Sequence, residues 1–510
     1  MPKTLLCACE DVTLDEVLRA FAAGHRDLES VKRYTGFGTG PCQGKSCLAL
    51  AARELARLGA TPAEIVPFTA RPPVFPAPLA ALASVDPSML SLGPGVPLEK
   101  AIPPGPGAGS APGLAPDQAG IARSPRPSRP LPAQARVVIV GGGIMGLGLA
   151  YELSRRGETD VVVLERSYLN AGASGRNGGG VRAQWSTPTM IRLARRSLEI
   201  CSRFASEMGI NVWFRRGGYL FLAPDRRQVD RIQRNARLQA EHGLRTRVIS
   251  PGQALEIVPQ LDASRFLAAS FNPDDAVVFP WPFLWGYAQR AEALGARVAT
   301  FTRVAGFESR GRRIEAVLTD RGRIRAEVVV NACGAWSREL AALAGVRLPN
   351  RPVRHEILVT EPQKPWLGPL VSVLGTGLYF SQSLRGEIVG GLGDPQEPEG
   401  LEIGSTLRLL ARFARGFCEL VPGAAGLQVT RQWAGCYDVT PDNNPVLGAA
   451  GFDNFLQLSG FVGHGFMMAP AVAELMADWM TGGPPDEIFL RFTVQRFERG
   501  ETAREDFIIG

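Results

Sequence analysis

Arg136-Val137-Val138-Ile139-Val140-Gly141-Gly142-Gly143-Ile144-Met145-Gly146 is the stretch on which the fold of this chain is decided. Four consecutive β-branched residues, Val137 to Val140, favour a short buried strand. Gly141, Gly143 and Gly146 follow the GxGxxG spacing, in which missing side chains let the backbone approach a pyrophosphate and let a helix pack closely on the strand. Leu147 to Gly157 reads as a helix that stops at a glycine. Asp160 to Glu165 is a second apolar strand, and Glu165 ends it 24 residues after Gly141, where an acid is expected to hold the hydroxyls of an adenosine ribose. Strand, glycine turn, helix, strand and acid together predict a βαβ dinucleotide-binding unit.

Further segments suited to a cofactor follow. Ala173 to Arg182, ASGRNGGGVR, is glycine-rich and polar, fit to pass alongside phosphates and a ring system. Ser174, Arg176, Asn177, Gly178 and Gly179 are therefore candidate cofactor contacts, as are Arg166 and Val304. Val328 to Ser337 runs as an apolar strand into a small-residue turn at Gly334. Near the C-terminal end come Trp433-Ala434-Gly435, Thr440 to Pro445, and Gly463-His464-Gly465-Phe466-Met467, ahead of a helix predicted from about residue 470 to 479. The partial positive charge of a helix N-terminus would stabilise an electron-rich ring, so Gly435, Gly463, Gly465, Phe466 and Met467 join the candidates.

The N-terminal region has its own chemistry. Cys7 and Cys9 form a CxC, and Cys42 and Cys47 follow as CxxxxC, a thiol set suited to a soft metal centre. Around them, residues 1 to 66 read as a small unit: a helix capped by Asp11 or Thr13 carries Leu14, Val17, Leu18 and Phe21, and a second runs from Leu48 to Leu58. Residues 67 to 133 turn to Pro, Ala, Gly and Ser and predict a linker. The other cysteines, Cys201, Cys333, Cys418 and Cys436, stand singly in apolar segments and read as buried, inert thiols.

Composition bounds the rest. The 510 residues are 45% hydrophobic, enough for two or three cores. The net charge of +7 rests on scattered arginines, a pattern of solvated surface rather than a nucleic-acid groove. No apolar run is long enough to span a bilayer and the N-terminus shows no signal-peptide pattern, so a cytoplasmic location is expected.

Residues 136 to about 485 resemble the D-amino-acid oxidase superfamily of flavoproteins, most closely the β subunits of heterotetrameric sarcosine oxidase and dye-linked L-proline dehydrogenase. The likeness is carried by VVIVGGGIMGLGLAYELSRRG, GASGRNGGGVR, VVNACGAWS, TPDNNPVLG and GFVGHGFMMAP. Residues 1 to 66 resemble the bacterioferritin-associated-ferredoxin type of [2Fe-2S] domain through CACEDVTLDEV and TGFGTGPCQGKSC, with zinc as the alternative occupant of Cys7, Cys9, Cys42 and Cys47.

The resemblance implies an α/β fold: an FAD-binding Rossmann-like domain interleaved with an antiparallel-sheet substrate domain, plus a small N-terminal helical [2Fe-2S] domain. The FAD part is expected at about 134–215, 290–345 and 430–485, and the substrate part at about 216–289 and 346–429. It implies oxidation of an amino acid with a secondary amine, of the proline, hydroxyproline, sarcosine or opine class, by an FAD-dependent dehydrogenase that passes electrons to the cluster.

Arg182 aligns with an arginine that clamps the substrate carboxylate in the monomeric enzymes, or else is a structural arginine near the flavin. His464 is expected to support cofactor geometry, His355 to lie near substrate or line a strand, and Tyr379 to line the pocket or the core; His25 and His242 read as surface residues. Met467 stands where the monomeric oxidases have a carboxylate-binding lysine, and about Pro280 falls where the sarcosine oxidase β subunit has its covalent FMN histidine, so any FMN would be noncovalent, at a junction with a second, α-type flavoprotein subunit. Lys364 is the only lysine of the flavin unit, which favours a dehydrogenase over an oxygen-reducing oxidase. The alternatives are an electron-transfer or assembly subunit with an inactive flavin site, and a peroxide-forming oxidase.

Overall fold

The first sheet grows from the βαβ stretch. In the computed structural model, which describes residues 4–90 and 130–508 apart from 23, 26, 62–64, 66, 69, 70, 74, 503 and 506, the strands Arg297–Ala299, Val161–Leu164, Gln134–Val140, Gly322–Asn331 and Phe455–Ser459 lie parallel in that order. The helix Ile144–Arg155 crosses between the first two strands in sequence and is buried on most of its surface. That burial is possible because Gly148 lets a second helix, Gly465–Met480, approach until an added Cβ would stand 3.3 Å from that of Ala473. This second helix begins earlier than its sequence suggests. Pro470 is its sixth residue and deprives the Phe466 carbonyl of its i→i−4 bond; Ser197 braces the same turn, donating to the Met468 carbonyl (3.2 Å) and accepting the Ala471 N–H (3.1 Å).

The second sheet has nine strands, and its longest pairing joins Arg351–Pro362 to Gln428–Val439 antiparallel, with His355 opposite Gly435. Leu378–Gln382 and Glu387–Leu392 extend it, and the helix Leu407–Leu420 covers one face through Leu409, Leu410, Phe413 and Phe417. A three-stranded sheet, Gly180–Val181, Arg215–Arg216 and Ala276–Val277, lies between the long segments in sequence.

Two assignments made from sequence differ here. The helix Pro280–Ala293, expected with the substrate part, packs Phe283, Leu284 and Tyr287 into the core beneath Ile144–Arg155, because that face is apolar and aromatic. The strand from Gln428, expected to open the last FAD segment, belongs to the nine-stranded sheet.

The segment expected as linker is not uniform either. Residues 91–129 lie outside the described residues, but Ala77–Pro78 pairs with Gln428 and Val429, and the short helix Leu79–Ala83 places Leu79 and Leu82 in the core under Leu407–Leu420. Leu79 and Leu82 are spaced one helical turn apart, which gives this short piece one apolar face despite its proline-rich flanks.

At the N-terminal end, a hairpin of Leu5–Cys7 and Val12–Thr13 and the helices Leu14–Ala22, Leu28–Thr35 and Leu48–Arg57 close around Val17, Val31, Phe37 and Leu55. Thr13 caps the first helix reciprocally with Glu16: each backbone N–H is taken by the other's side chain, at 2.7 and 3.2 Å. His25, read from sequence as a surface residue, is buried instead, stacked on Tyr34 and set edge-on to Trp285 of the flavin unit.

Candidate functional site

A cavity of about 820 Å³ runs from the glycine turn to the nine-stranded sheet. At one end Gly141 adopts φ +116°, and a Cβ there would stand 2.4 Å from the Ala332 carbonyl oxygen, so the two strand ends meet across a gap only glycine permits. Glu165 closes the same end, buried, its carboxylate accepting the N–H groups of Gly142 (2.9 Å) and Ser167 (2.8 Å). Burial pushes its pKa up. Ser174 accepts the N–H of Ile144 at 3.1 Å and so ties the glycine-rich segment to the helix start.

The other end is aromatic. His355 Nε2 lies 2.9 Å from the Tyr379 hydroxyl, and the His355 ring stacks on Tyr437 at 4.5 Å and on Tyr379 at 5.7 Å. Tyr219 completes this wall. Burial raises the pKa of all three tyrosines and pulls His355 down to about 4. At neutral pH these side chains are uncharged hydrogen-bonding groups.

The sequence candidates fall as follows. Gly141, Gly143, Glu165, Arg166, Ser174, Arg176, Asn177, Gly178, Gly179, Val304, Gly334, Gly435, Gly463, Gly465, Phe466 and Met467 line the cavity, as do His355, Tyr379 and His464. Gly146 does not: a Cβ there would strike the Gly141 carbonyl oxygen at 2.0 Å, so this glycine serves helix–strand packing.

Arg182 does not line it either. It is fully buried, donates to the carbonyls of Gln184 and Phe507, and lies 4.0 Å over the Trp185 ring. The carboxylate-clamping role is corrected accordingly, because the aromatic surroundings and the C-terminal segment claim the guanidinium before it reaches the cavity. Tyr219 and Tyr437 were missed. Tyr437 had a pointer, since it sits two residues after Gly435, and its ring fills the space over Gly463.

A family model described as FAD dependent oxidoreductase matches residues 136–479. The chain belongs to the FAD-dependent oxidoreductase family. A second model, the sarcosine oxidase A3 domain, matches residues 1–85. The chain is 28% identical over 369 residues to sarcosine oxidase subunit beta of Rhizobium meliloti (strain 1021), covering 71% of this chain and 88% of that one. It is 30% identical over 395 residues to 4-methylaminobutanoate oxidase (formaldehyde-forming) of Paenarthrobacter nicotinovorans, covering 74% of this chain and 47% of that one. It therefore spans about half the length of this relative.

Among solved structures, L-proline dehydrogenase from P. horikoshii superposes with a TM-score of 0.70 at 36% identity, over 73% of this chain and 100% of that one. These relatives are named as oxidases and a dehydrogenase, and this chain shares with them the FAD-dependent oxidoreductase family.

The cavity fits the family's cofactor: its volume suits a large ligand, its glycine cradle leaves room for a pyrophosphate, and Glu165 stands at the ribose position. In the N-terminal region the four thiols influence one another, Cys7 chiefly with Cys47 and Cys9 chiefly with Cys42. Within the first pair Cys47 holds Cys7 down to about 5. Among the described residues no three or more His, Cys, Asp or Glu side chains gather as one ion site.

A second cavity, of about 160 Å³, lies between the N-terminal region and the flavin unit and shares Arg176, Asn177 and Gly178 with the first. Lys32, Arg33, Arg71, Arg176, Arg215, Arg385 and Arg431 line it, with Trp213, Phe279, Pro280, Trp281 and Trp433. No helix among the described residues is long and apolar enough to cross a membrane.

Proposed function

We propose that this chain is the catalytic subunit of an FAD-dependent dehydrogenase that oxidises an N-methyl or secondary-amine amino acid, of the sarcosine, proline or dimethylglycine class, to the imine. The observation that carries the reading is the uncharged wall of His355, Tyr379, Tyr437 and Tyr219 closing the inner end of a cofactor-sized cavity. FAD, when bound, supplies the hydride acceptor; Gly141, Gly143 and the 173–180 segment would hold its phosphates, and Glu165 its ribose.

The protein's own part is to bind and orient. An amine arrives largely as ammonium and must lose a proton before its α-C–H can leave as hydride. That proton goes to solvent before the substrate is held: burial disfavours an imidazolium at His355, so His355 and Tyr379, 2.9 Å apart, present uncharged hydrogen-bonding groups that select the neutral amine. The tyrosine hydroxyls, all neutral, donate hydrogen bonds that orient the substrate carboxylate. No lysine lines the cavity among the described residues, which supports a dehydrogenase rather than an oxygen-reducing oxidase.

Electrons would leave through a [2Fe-2S] cluster on Cys7, Cys9, Cys42 and Cys47. Support for a shared centre comes from the mutual interaction of all four thiols, which are close enough to shift one another. The sarcosine oxidase subunit beta relatives support assembly with an α-type subunit. A noncovalent FMN would place its phosphate in the basic cavity, where Pro280 lies. Residues 1–66, 67–133 and 134–510 are proposed as the cluster domain, the connecting segment and the catalytic unit.

Anaerobic titration with sarcosine, L-proline, D-proline, trans-4-hydroxyproline and dimethylglycine tests the reading. Bleaching of the flavin absorbance by one of them is expected, followed by the EPR signal of a reduced cluster. Bound FAD that none of them reduces would refute the assignment.

A further inference from the structure

The turn at residues 460–463 joins the strand Phe455–Ser459 to the helix Gly465–Met480, and Ser459, Phe461, Val462 and Gly463 line the cofactor cavity. Its backbone is strained. Val462 adopts φ +53°, in the left-handed region that a β-branched side chain seldom enters. One residue of the strand Gln428–Val439 holds this turn with three hydrogen bonds. Asp438 accepts the Gly460 N–H on Oδ2 (2.5 Å) and the Val462 N–H on its own carbonyl (2.9 Å), and donates its N–H to the Val462 carbonyl (3.3 Å). Tyr437, the residue before it, packs on the same turn, since a Cβ on Gly463 would stand 2.3 Å from its ring.

The other carboxylate oxygen of Asp438 accepts Asn350 Nδ2 at 2.9 Å, and the same amide reaches Ser459 Oγ at 3.2 Å, so the acid ties the turn to the residue that leads into the strand Arg351–Pro362. Asp438 lines the cavity but is itself buried, and among the described residues no lysine or arginine pairs with it. The titratable side chains around it are uncharged: burial keeps the Cys333 thiol and the Tyr437 hydroxyl protonated, and burial with the charge of Arg182 keeps His464 neutral. Glu165 and Arg166 bear on Cys333 but not on Asp438, and Arg351, next to Asn350, is exposed. Burial pushes Asp438 up to about 7, so its carboxyl exchanges a proton near neutral pH. The ionised form is the stronger acceptor for the Gly460 N–H.

We propose that Asp438 is a positioning residue for the cofactor: its grip on the 460–463 turn fixes where the helix Gly465–Met480 begins on the cavity, and FAD is held more tightly when the carboxyl is ionised. The role requires only the family's cofactor and is independent of which amine is oxidised. Asparagine copies the protonated acid in shape and charge, so Asp438→Asn separates the effect of the charge from that of packing. Weakening one charge-assisted hydrogen bond corresponds to a change of about tenfold in affinity.

Titration of the full-length apoprotein with FAD at pH 8 and pH 6 tests this, for wild type, Asp438→Asn and Asp438→Asn/Val462→Gly, with the melting temperature read on the same samples. Wild type should bind FAD about tenfold more weakly at pH 6 than at pH 8. Asp438→Asn should bind at both pH values as wild type does at pH 6. The double variant should regain most of the loss at pH 8, because glycine takes a left-handed φ without strain and the turn then needs less holding. His355 and His464, both pulled down, stay neutral over this range and add no slope of their own. An equal loss of affinity in Asp438→Asn at both pH values, or unchanged affinity whatever the melting temperature, would make Asp438 a packing residue and overturn the proposal. A double variant no better than Asp438→Asn would detach the acid from the turn. Wild type binding more tightly at pH 6 would also overturn it, since the carboxylate would then act by repelling the cofactor's phosphates.

Discussion

Gly146→Ala is the substitution in which geometry makes the sharpest demand. A Cβ at position 146 would lie 2.0 Å from the Gly141 carbonyl oxygen and 3.1 Å from Cγ2 of Ile139. Cβ contacts below 3.0 Å do not occur in practice, so about 1 Å must be recovered by moving backbone, since the atom struck is a carbonyl and not a flexible side-chain end. The helix Ile144–Arg155 has no slack to move away, because Gly148 on the same helix already stands within 3.3 Å of Ala473 by the same measure.

Overpacking a well-filled core costs about 1 to 3 kcal/mol, and a backbone clash without an escape route belongs at or above the top of that range. The displaced turn carries Gly141 and Gly143, so FAD retention should fall together with stability although residue 146 never touches the cavity. Urea unfolding and flavin content after gel filtration would be read for wild type, Gly146→Ala and, as a control, Gly157→Ala. The control has φ +91° and open space around it, so it should lose only about 1 kcal/mol of backbone strain and keep its FAD. Gly146→Ala with wild-type stability and full FAD content would refute the packing argument.

Other consequences are as direct. Leu79 is fully buried beneath Leu407–Leu420, so Leu79→Ala should cost about 2 to 5 kcal/mol in urea unfolding, whereas a mere linker residue would cost nothing measurable. His355 is held down to about 4 against an unfolded value of 6.5, so the unfolded chain binds the proton first: its share of apoprotein stability is complete above pH 6.5 and is lost as pH falls toward 4. That amounts to about 2 kcal/mol between pH 7.5 and 5, and His355→Phe should flatten the slope by that amount; an unchanged slope would contradict the burial of an ionisable ring. Cys47→Ser should abolish iron and sulfide binding by the reconstituted protein while leaving its flavin spectrum unchanged; iron retained at wild-type stoichiometry would exclude the four-cysteine set. Tyr379→Phe should raise KM several-fold with the flavin content unchanged, because one uncharged donor of the inner wall is lost; an unchanged KM would argue against contact between its hydroxyl and the substrate.

Local sequence determined the cofactor-binding half of this protein. Strand, glycine turn, helix and acid lie within residues 134–165, so β-branching, glycine spacing and helix length act on neighbours and predict both the βαβ unit and the cavity end that it forms. The first helix cap at Thr13 was legible for the same reason.

Only the tertiary structure decided the rest. His355, Tyr379 and Tyr437 meet because their strands pair antiparallel, with His355 opposite Gly435 and Tyr379 opposite Gly391, and no local pattern encodes that register. The direction of Arg182 depends on Trp185 nearby and on Phe507 more than three hundred residues away, so alignment left both a substrate clamp and a structural arginine open, and the packing here fits the second. The basic cavity draws its arginines from segments as distant as Arg33 and Arg431. Charge scattered along a sequence becomes a binding site only when folding removes the water between its parts, because screening by solvent, not distance along the chain, sets how strongly two charges act on each other.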